Sequence, residues 1–498
     1  MARSGSLRAA TARGGVLNAG FLSAAELLVL LQGLLATALL GPDAIGLYGI
    51  VTTTAMTIVA LRRVGIDEAF VQQTAQHEEA EFQRAFGVEL AIGLVGALLI
   101  AVLAPVLAAV YGDDRLLALT LAVAYLPVAF ALQAPQWVFF RRMDFLRLRA
   151  LQAIVPLGTV LVTVPLLLAG VGVWALVIGP LCGHLAAVVA ARAVSPYALW
   201  PRFERRAARR YLRFSWPVFA TAVAALLVAQ GQVALFGLSE DGLAAAGWIT
   251  LAATLTRYAD RADQIVATTI YPAIVRVRDR VDVLEELFAK TNRLTLLWAL
   301  AFGAGLVLFG PDLILLVLGA EWEPAIVLLG GLAAATAVQQ VGYNWFAFYR
   351  ARGESRPQAV ESAVFAGSFA ALAVPGFLAW GSWGFVAGRI ACSVCVLAVR
   401  RAYVRRLLPS APFARLALRA ARPVALAALP VLALRLALWG GERPLAQALG
   451  ELALWLGGLA LATRRLEAGL LRELWSYLRG AAGEQPRDEP ADRAPTAA

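Results

Sequence analysis

The chain carries fourteen apolar stretches, near residues 15–40, 44–66, 85–110, 116–139, 150–170, 173–194, 212–237, 243–272, 294–318, 324–348, 358–379, 383–404, 420–439 and 445–463. A helix of about 20 apolar residues crosses the roughly 30 Å hydrocarbon core of a bilayer. Because lipid offers no hydrogen bonds to a backbone, such a run must satisfy its own amides as a helix. The fold class is therefore an all-α polytopic membrane protein of about fourteen transmembrane helices. Composition agrees: 60% of residues are hydrophobic, 15% are charged and mean hydropathy is +0.71, whereas soluble chains are about half apolar and a quarter charged. Several stretches are separated only by short turns rich in Gly, Pro or acids, such as Gly41-Pro42-Asp43, Ser239-Glu240-Asp241-Gly242 and Gly440-Gly441-Glu442-Arg443-Pro444. These suit tight connections between antiparallel helices.

The net charge of +11 would suggest nucleic acid in a soluble protein. Here the basic residues, all arginine except Lys290, cluster in alternate connections instead of forming a face. Arg141, Arg142, Arg147 and Arg149 follow the fourth run, and Arg202, Arg205, Arg206, Arg209 and Arg210 follow the sixth. The opposite connections hold only Arg115 and Arg443, with the acids Asp43, Asp113, Asp114, Glu240, Asp241, Glu321 and Glu323. Basic residues of short loops stay on the cytoplasmic side during insertion, so both termini are predicted there. No nucleic-acid partner is expected. The apolar run after Arg3, Arg8 and Arg13 is too long for the core of a signal peptide and reads as the first membrane helix. Past the last run, Leu466, Leu470, Leu471, Leu474, Trp475 and Leu478 recur at helical spacing beside arginines, predicting an interfacial helix over 464–480. The polar tail 481–498 has too few apolar residues to order itself.

The chemistry available for catalysis is thin. Cys182, Cys392 and Cys395 lie in apolar runs, and only His77 and His184 are present, so no disulfide, metal site or cofactor is expected. The only lysine follows Ala289, which excludes a phosphate-binding loop of the Walker type. The outer connections are too short to house a polymerase or ligase domain. The expectation is a secondary-type transporter, not an enzyme.

An internal repeat organises the runs. Gly172-x-Trp174-x-x-Val177-x-Gly179 at the start of the sixth returns as Gly381-x-Trp383-x-x-Val386-x-Gly388 at the start of the twelfth. Phe139-Phe140-Arg141 is matched by Phe348-Tyr349-Arg350 at the same offset, and Tyr111-Gly112-Asp113-Asp114 by Leu318-Gly319-Ala320-Glu321 at nearly the same one. Repeats six spans apart share orientation and are related by an axis along the membrane normal. The predicted organisation is a six-helix lobe over 1–200, a second over 201–410, two additional membrane helices over 411–463, then the interfacial helix and the tail.

With these stretches in order, the sequence resembles the polysaccharide flippases of the multidrug/oligosaccharidyl-lipid/polysaccharide exporter superfamily. Leu39-Leu40-Gly41-Pro42-Asp43-Ala44-Ile45-Gly46-Leu47-Tyr48 resembles that family's first outer turn, Arg141-Arg142-Met143-Asp144-Phe145 the loop after the fourth span, Gly172 to Val177 the sixth, and Tyr271-Pro272-Ala273-Ile274 the end of the eighth. The likeness covers roughly residues 15–405. It implies alternating-access flipping of an undecaprenyl-pyrophosphate-linked oligosaccharide, such as an O-antigen, capsule or exopolysaccharide unit, across the cell inner membrane. It also implies a polysaccharide polymerase and glycosyltransferases of one pathway as partners. The alternatives are a flippase for lipid-linked peptidoglycan precursor, which shares the 6 + 6 + 2 layout, then a multidrug exporter, which typically stops at twelve spans, then a glycan polymerase or ligase. The chain departs from the family at Gln232-Val233, where an Asp-Arg pair is frequent, and at Thr254, where an arginine is frequent. No residue role is carried over there.

Ionisable groups within a span are costly and mark functional candidates. The eighth run holds Arg257, Asp260, Arg261 and Asp263. Helical spacing places Arg257, Asp260 and Arg261 on one face, read either as the wall of a cavity receiving pyrophosphate or acidic sugar, or as an internally paired cluster. Gln230 and Gln232 in the seventh run, Gln339, Gln340 and Asn344 in the tenth, Glu26 in the first and Glu361 in the eleventh could meet sugar hydroxyls or join helices together. Arg389 in the twelfth has no acid near it in sequence and either faces substrate or snorkels. Glu89 and His184 read as structural.

Overall fold

The computed structural model describes residues 4–62, 78–142, 144–204, 228–260, 280–352, 356–410, 413–438 and 443–469 with a few isolated positions, and for 4–26 the backbone alone. All fourteen spans are represented. They are α1 (4–40), α2 (42–62), α3 (Glu78–Tyr111), α4 (Arg115–Arg141), α5 (Phe145–Leu168), α6 (Gly172–Val194), α7 (228–237), α8 (Gly242–Thr256), α9 (Val281–Leu318), α10 (325–351), α11 (356–380), α12 (381–407), α13 (Phe413–Ala437) and α14 (Leu445–Leu466). Among the described residues nine continuous helical segments are long and apolar enough to cross a membrane. Two of these each contain two spans, because the helix breaks at Gly41 (φ 74°) and at Gly381 (φ 56°). At the second break the chain folds back on itself, with Gly376 against Gly384 and Gly388 against Leu372 and Ala373. The chain is a multi-pass membrane protein.

Left-handed glycines sit at the same place in each half. Gly41, Gly112 and Gly172 open the turns into α2, α4 and α6, and Gly242, Gly319 and Gly381 do so for α8, α10 and α12, all at positive φ. Only glycine takes that conformation without a Cβ clash, so the repeat in the sequence is a repeat of outer turns. In the α3–α4 turn Arg115 grips Asp113 through two hydrogen bonds, Nε to Oδ1 at 3.1 Å and Nη2 to Oδ2 at 2.7 Å, and holds its carboxyl below the usual carboxylate range.

Among the described residues the two lobes, α1–α6 and α7–α12, share a core on one side of the membrane. One large apolar cluster mixes Leu47, Ile50 and Val123 of the first with Phe236, Ile249 and Trp322 of the second. It lies toward the left-handed turns. On the opposite, arginine-rich side the clusters separate: Phe70, Phe82, Phe86 and Val138 belong to the first lobe, and Phe288, Trp345, Phe348 and Val404 to the second. Among the described residues, no apolar cluster on that side includes both lobes.

The join between lobes is close-packed at α2 and α8. A Cβ on Gly46 would strike the carbonyl of Leu243, and one on Gly247 would strike the carbonyl of Pro42. The two contacts are mirror partners: 46 to 247 and 42 to 243 are the same offset of 201, which is also the offset from Gly41 to Gly242. Small residues let helix backbones meet this closely in lipid, where packing replaces the hydrophobic drive.

α13 and α14 pack on α9. Near their outer ends Arg435 Nε reaches Glu451 at 2.9 Å, Arg443 reaches Glu451 at 2.6 Å and Asp312 at 2.9 Å, and Gln447 donates to Glu451 at 3.0 Å. At the other end Arg293 pairs with Glu467. α9 begins thirteen residues before the apolar run predicted from 294, at Val281. The extension is amphipathic: Leu284 and Phe288 are buried, while Glu286 and Lys290 pair across one turn at 2.7 Å. Most of the predicted interfacial helix and all of the tail lie outside the described residues.

Candidate functional site

Where the shared core ends, the apolar clusters of the two lobes separate toward the arginine-rich side among the described residues. α8 contributes to the core as far as Leu255. Beyond it the regular helix gives way to a 3-10 turn over Arg257–Asp260, whose tighter winding stacks residues three apart instead of spreading them over a face. Arg257 is exposed, two residues beyond Leu255, the last residue of α8 in the shared core. Gln230 of α7 joins the lobes, donating to Thr57 Oγ1 of α2 at 2.7 Å.

The turn that presents Arg257 is held from behind. Asp260 accepts from Gln340 Nε2 at 2.5 Å, and Trp298 Nε1 donates to the carbonyl of Tyr258 at 3.2 Å. Gln340 in turn belongs to a break in α10, where Gly342 takes φ 73° and the helix restarts at Trp345. Broken backbone inside a bilayer must find other partners. Arg400 of α12 supplies them, donating to the carbonyls of Gln339 and Val341 while pairing with Glu361 of α11 at 2.6 Å and lying over the Tyr343 ring. Asn292 of α9 donates to the carbonyl of Gln340 at 3.3 Å, and Asn344 donates to Thr291 at 2.5 Å.

The candidates read from sequence therefore divide. Arg257 is exposed where the shared core ends, and Gln230 bonds across the lobes to Thr57. Asp260, Gln340, Asn344 and Glu361 join a polar network inside the second lobe, and Gln339 contributes its backbone carbonyl to that network. Gln232 is half-buried. Arg389 is 9% exposed; its Nε and Nη1 have no hydrogen-bond partner, and its guanidinium lies over Phe365 at 4.9 Å. Arg261, Asp263 and the side chain of Glu26 lie outside the described residues. Sequence reasoning passed over Arg400 and Thr57, and also Arg435 and Glu451. Of these, Arg435 and Glu451 carried a usable signal, as charges within two consecutive apolar runs. Among the described residues no group of three or more His, Cys, Asp or Glu is placed to hold a metal ion.

The architecture is that of known transporters. It is similar to a lipid II flippase MurJ in an inward closed conformation, with a TM-score of 0.70 at 12% identity over 90% of this chain and 99% of that one. It is also similar to an inward-facing multidrug resistance MATE family transporter of the MOP superfamily, at 0.63 and 14% identity over 78% and 96%. A MOP superfamily transporter from Pyrococcus furiosus follows at 0.52 and 15% identity over 81% and 96%. At these identities the likeness is one of fold. No curated protein matches the sequence. A family described as polysaccharide biosynthesis protein matches residues 35–327, well over half of the 498 residues, and the chain belongs to that family.

Proposed function

We propose that this protein flips a lipid-linked oligosaccharide, carried on undecaprenyl pyrophosphate, from the cytoplasmic to the outer face of the cell inner membrane by alternating access. The observation that carries the reading is that the lobes meet at the glycine contacts of α2 and α8 and keep separate apolar clusters on the arginine-rich side among the described residues, with Arg257 exposed where the shared core ends; the cleft between them is part of the proposal. The distribution of arginine puts the divided side, with both termini, in the cytoplasm. A pyrophosphate made on that side enters the cleft and meets a guanidinium, whose planar fork matches phosphate oxygens. Gln230, Gln232 and Arg389 are proposed as further contacts for the glycan, with Asp260, Gln339 and Asn344 positioning the wall behind Arg257. Arg261 and Glu26 complete the proposed set. Membership of a polysaccharide biosynthesis family supports an oligosaccharide cargo, and glycosyltransferases and a polymerase of the same pathway are the proposed partners.

A second reading, flipping of lipid-linked peptidoglycan precursor, is favoured by the likeness to a lipid II flippase over nearly its whole length. One experiment separates the two. Deleting the gene and following both lipid-linked pools should show the oligosaccharide accumulating in the inner leaflet with peptidoglycan precursor unaffected. Accumulation of the precursor alone would transfer the assignment to the second reading, and no accumulation of either would remove both.

A further inference from the structure

A cavity of about 250 Å³ opens between α9 and α13 on the arginine-rich side, with no lining residue from the first lobe. Four cations converge on it from two helices: Lys290 and Arg293 of α9, Arg415 and Arg419 of α13. The first two are answered by carboxylates, Glu286 and Glu467. Among the described residues no carboxylate pairs with Arg415 or Arg419, and both are exposed. The two helices are held together by the apolar contacts of Leu296, Leu297, Ala420 and Val424, and at the cavity the cations among the described residues outnumber the carboxylates that answer them, which favours an anion there.

The depth of the cavity says what kind of anion. Arg415 and Arg419 lie in the first two turns of α13, within roughly 9 Å of its start at 1.5 Å per residue. That is the thickness of a headgroup layer. Further along the same helix Leu426 and Leu429 are exposed at 52% and 59%, at acyl-chain depth. Basic pockets between membrane helices on the cytoplasmic side fit anionic lipid head groups. We propose that the α9–α13 cavity binds the phosphate head group of an anionic phospholipid as a resident lipid, with Arg415 and Arg419 as its principal ligands and the acyl chains laid along α13. This site is distinct from the cleft and does not depend on what the cleft carries.

The test uses the purified full chain in neutral detergent, titrated with phosphatidylglycerol, phosphatidylcholine or inorganic phosphate while thermal unfolding is followed. Phosphatidylglycerol should raise the melting temperature saturably, and phosphatidylcholine and millimolar phosphate should not. In the Arg415→Gln/Arg419→Gln variant the phosphatidylglycerol midpoint should move about thirty-fold weaker, the equivalent of about 2 kcal/mol for two cations near a membrane surface. Arg401→Gln/Arg405→Gln, on the same side but outside the cavity, should leave the midpoint unchanged. Equal responses to the two lipids, or an unchanged midpoint in the double variant, would overturn the proposal. Saturation by inorganic phosphate alone would replace the lipid with a free anion. If the double variant fails to fold, Arg415→Gln and Arg419→Gln are read singly, and a phosphatidylglycerol midpoint unmoved in both overturns the proposal.

Discussion

Arg257 and Arg400 are both arginines within membrane spans, and the difference between them is what surrounds the guanidinium. Arg400 is 1% exposed, with both of its terminal nitrogens engaged by Glu361 and two carbonyls, so burial and pairing withhold it from a ligand. Arg257 is exposed, with its turn anchored by Asp260 and Trp298 instead of its own side chain. An arginine at mid-membrane costs about 2.5–3.5 kcal/mol on insertion scales, and water or an anionic cargo in the cleft offsets that cost for Arg257. Replacing it with alanine should reduce glycan export by roughly tenfold or more at matched abundance, the scale of a lost charge-assisted hydrogen bond of about 1.5–3 kcal/mol. Arg257→Lys should recover only part of the activity, since lysine keeps the charge and lacks the bidentate fork. Full activity in both variants would show the residue to be a bystander. Arg257 was visible in the sequence because it stands with Asp260, Arg261 and Asp263 inside an apolar run. Arg400 was not, because Arg401, Arg405 and Arg406 follow it and the group reads as an ordinary interfacial cluster. Which member turned inward depended on the break in the facing helix, which no local pattern announces.

At the scale of elements, the break in α10 and the arginine that fills it form one unit. Removing Arg400 strands Glu361 and leaves the carbonyls of Gln339 and Val341 without donors. Breaking a buried pair in this way costs about 3–5 kcal/mol. Arg400→Leu should therefore lower the thermal midpoint of the purified protein sharply, and Arg400→Leu/Glu361→Leu should restore part of the loss by removing the orphaned carboxylate. If the double variant is no more stable than the single one, the pairing is not what holds the break. A different element carries the seal between lobes: at Gly247 any side chain would drive α8 off the backbone of α2 at Pro42. Gly247→Leu should open that join, seen as faster labelling of a cysteine placed at Val51, which is fully buried in the shared core. Unchanged protection there would mean that the contact is not the seal. The glycines of the turns were legible as a repeat, but the helical extension of α9 before residue 294 was not. Its charges resemble a loop until Leu284 and Phe288 find a neighbouring core to bury against.

For the whole molecule, the duplication and the count of spans follow from composition and spacing, because the bilayer fixes helix length and six intervening spans fix relative orientation. The state of the molecule does not follow from sequence. A transporter of two lobes needs at least two arrangements of the same surfaces, and the residues that meet in one arrangement are those that part in the other. Here the lobes meet at α2 and α8 and, among the described residues, keep separate apolar clusters on the arginine-rich side, so outward opening requires separating Gly46 from Leu243, Gly247 from Pro42 and Gly49 from Thr250. The last pair offers a lock. A Cβ on Gly49 would lie 3.0 Å from Thr250 Cβ, within a small adjustment of the roughly 3.8 Å of a disulfide. In a background where Cys182, Cys392 and Cys395 are alanine, Gly49→Cys/Thr250→Cys should cross-link on mild oxidation, abolish glycan export and regain it on reduction. A pair joining α10 to α12 within the second lobe, Gly331→Cys/Val386→Cys, should cross-link as readily, since a Cβ on Gly331 would lie against Val386 Cβ at 2.8 Å. It should leave export intact, because that contact moves as one body. Normal export by the oxidised Gly49→Cys/Thr250→Cys protein would mean that the lobes never part at α2 and α8, and alternating access through this cleft would have to be abandoned.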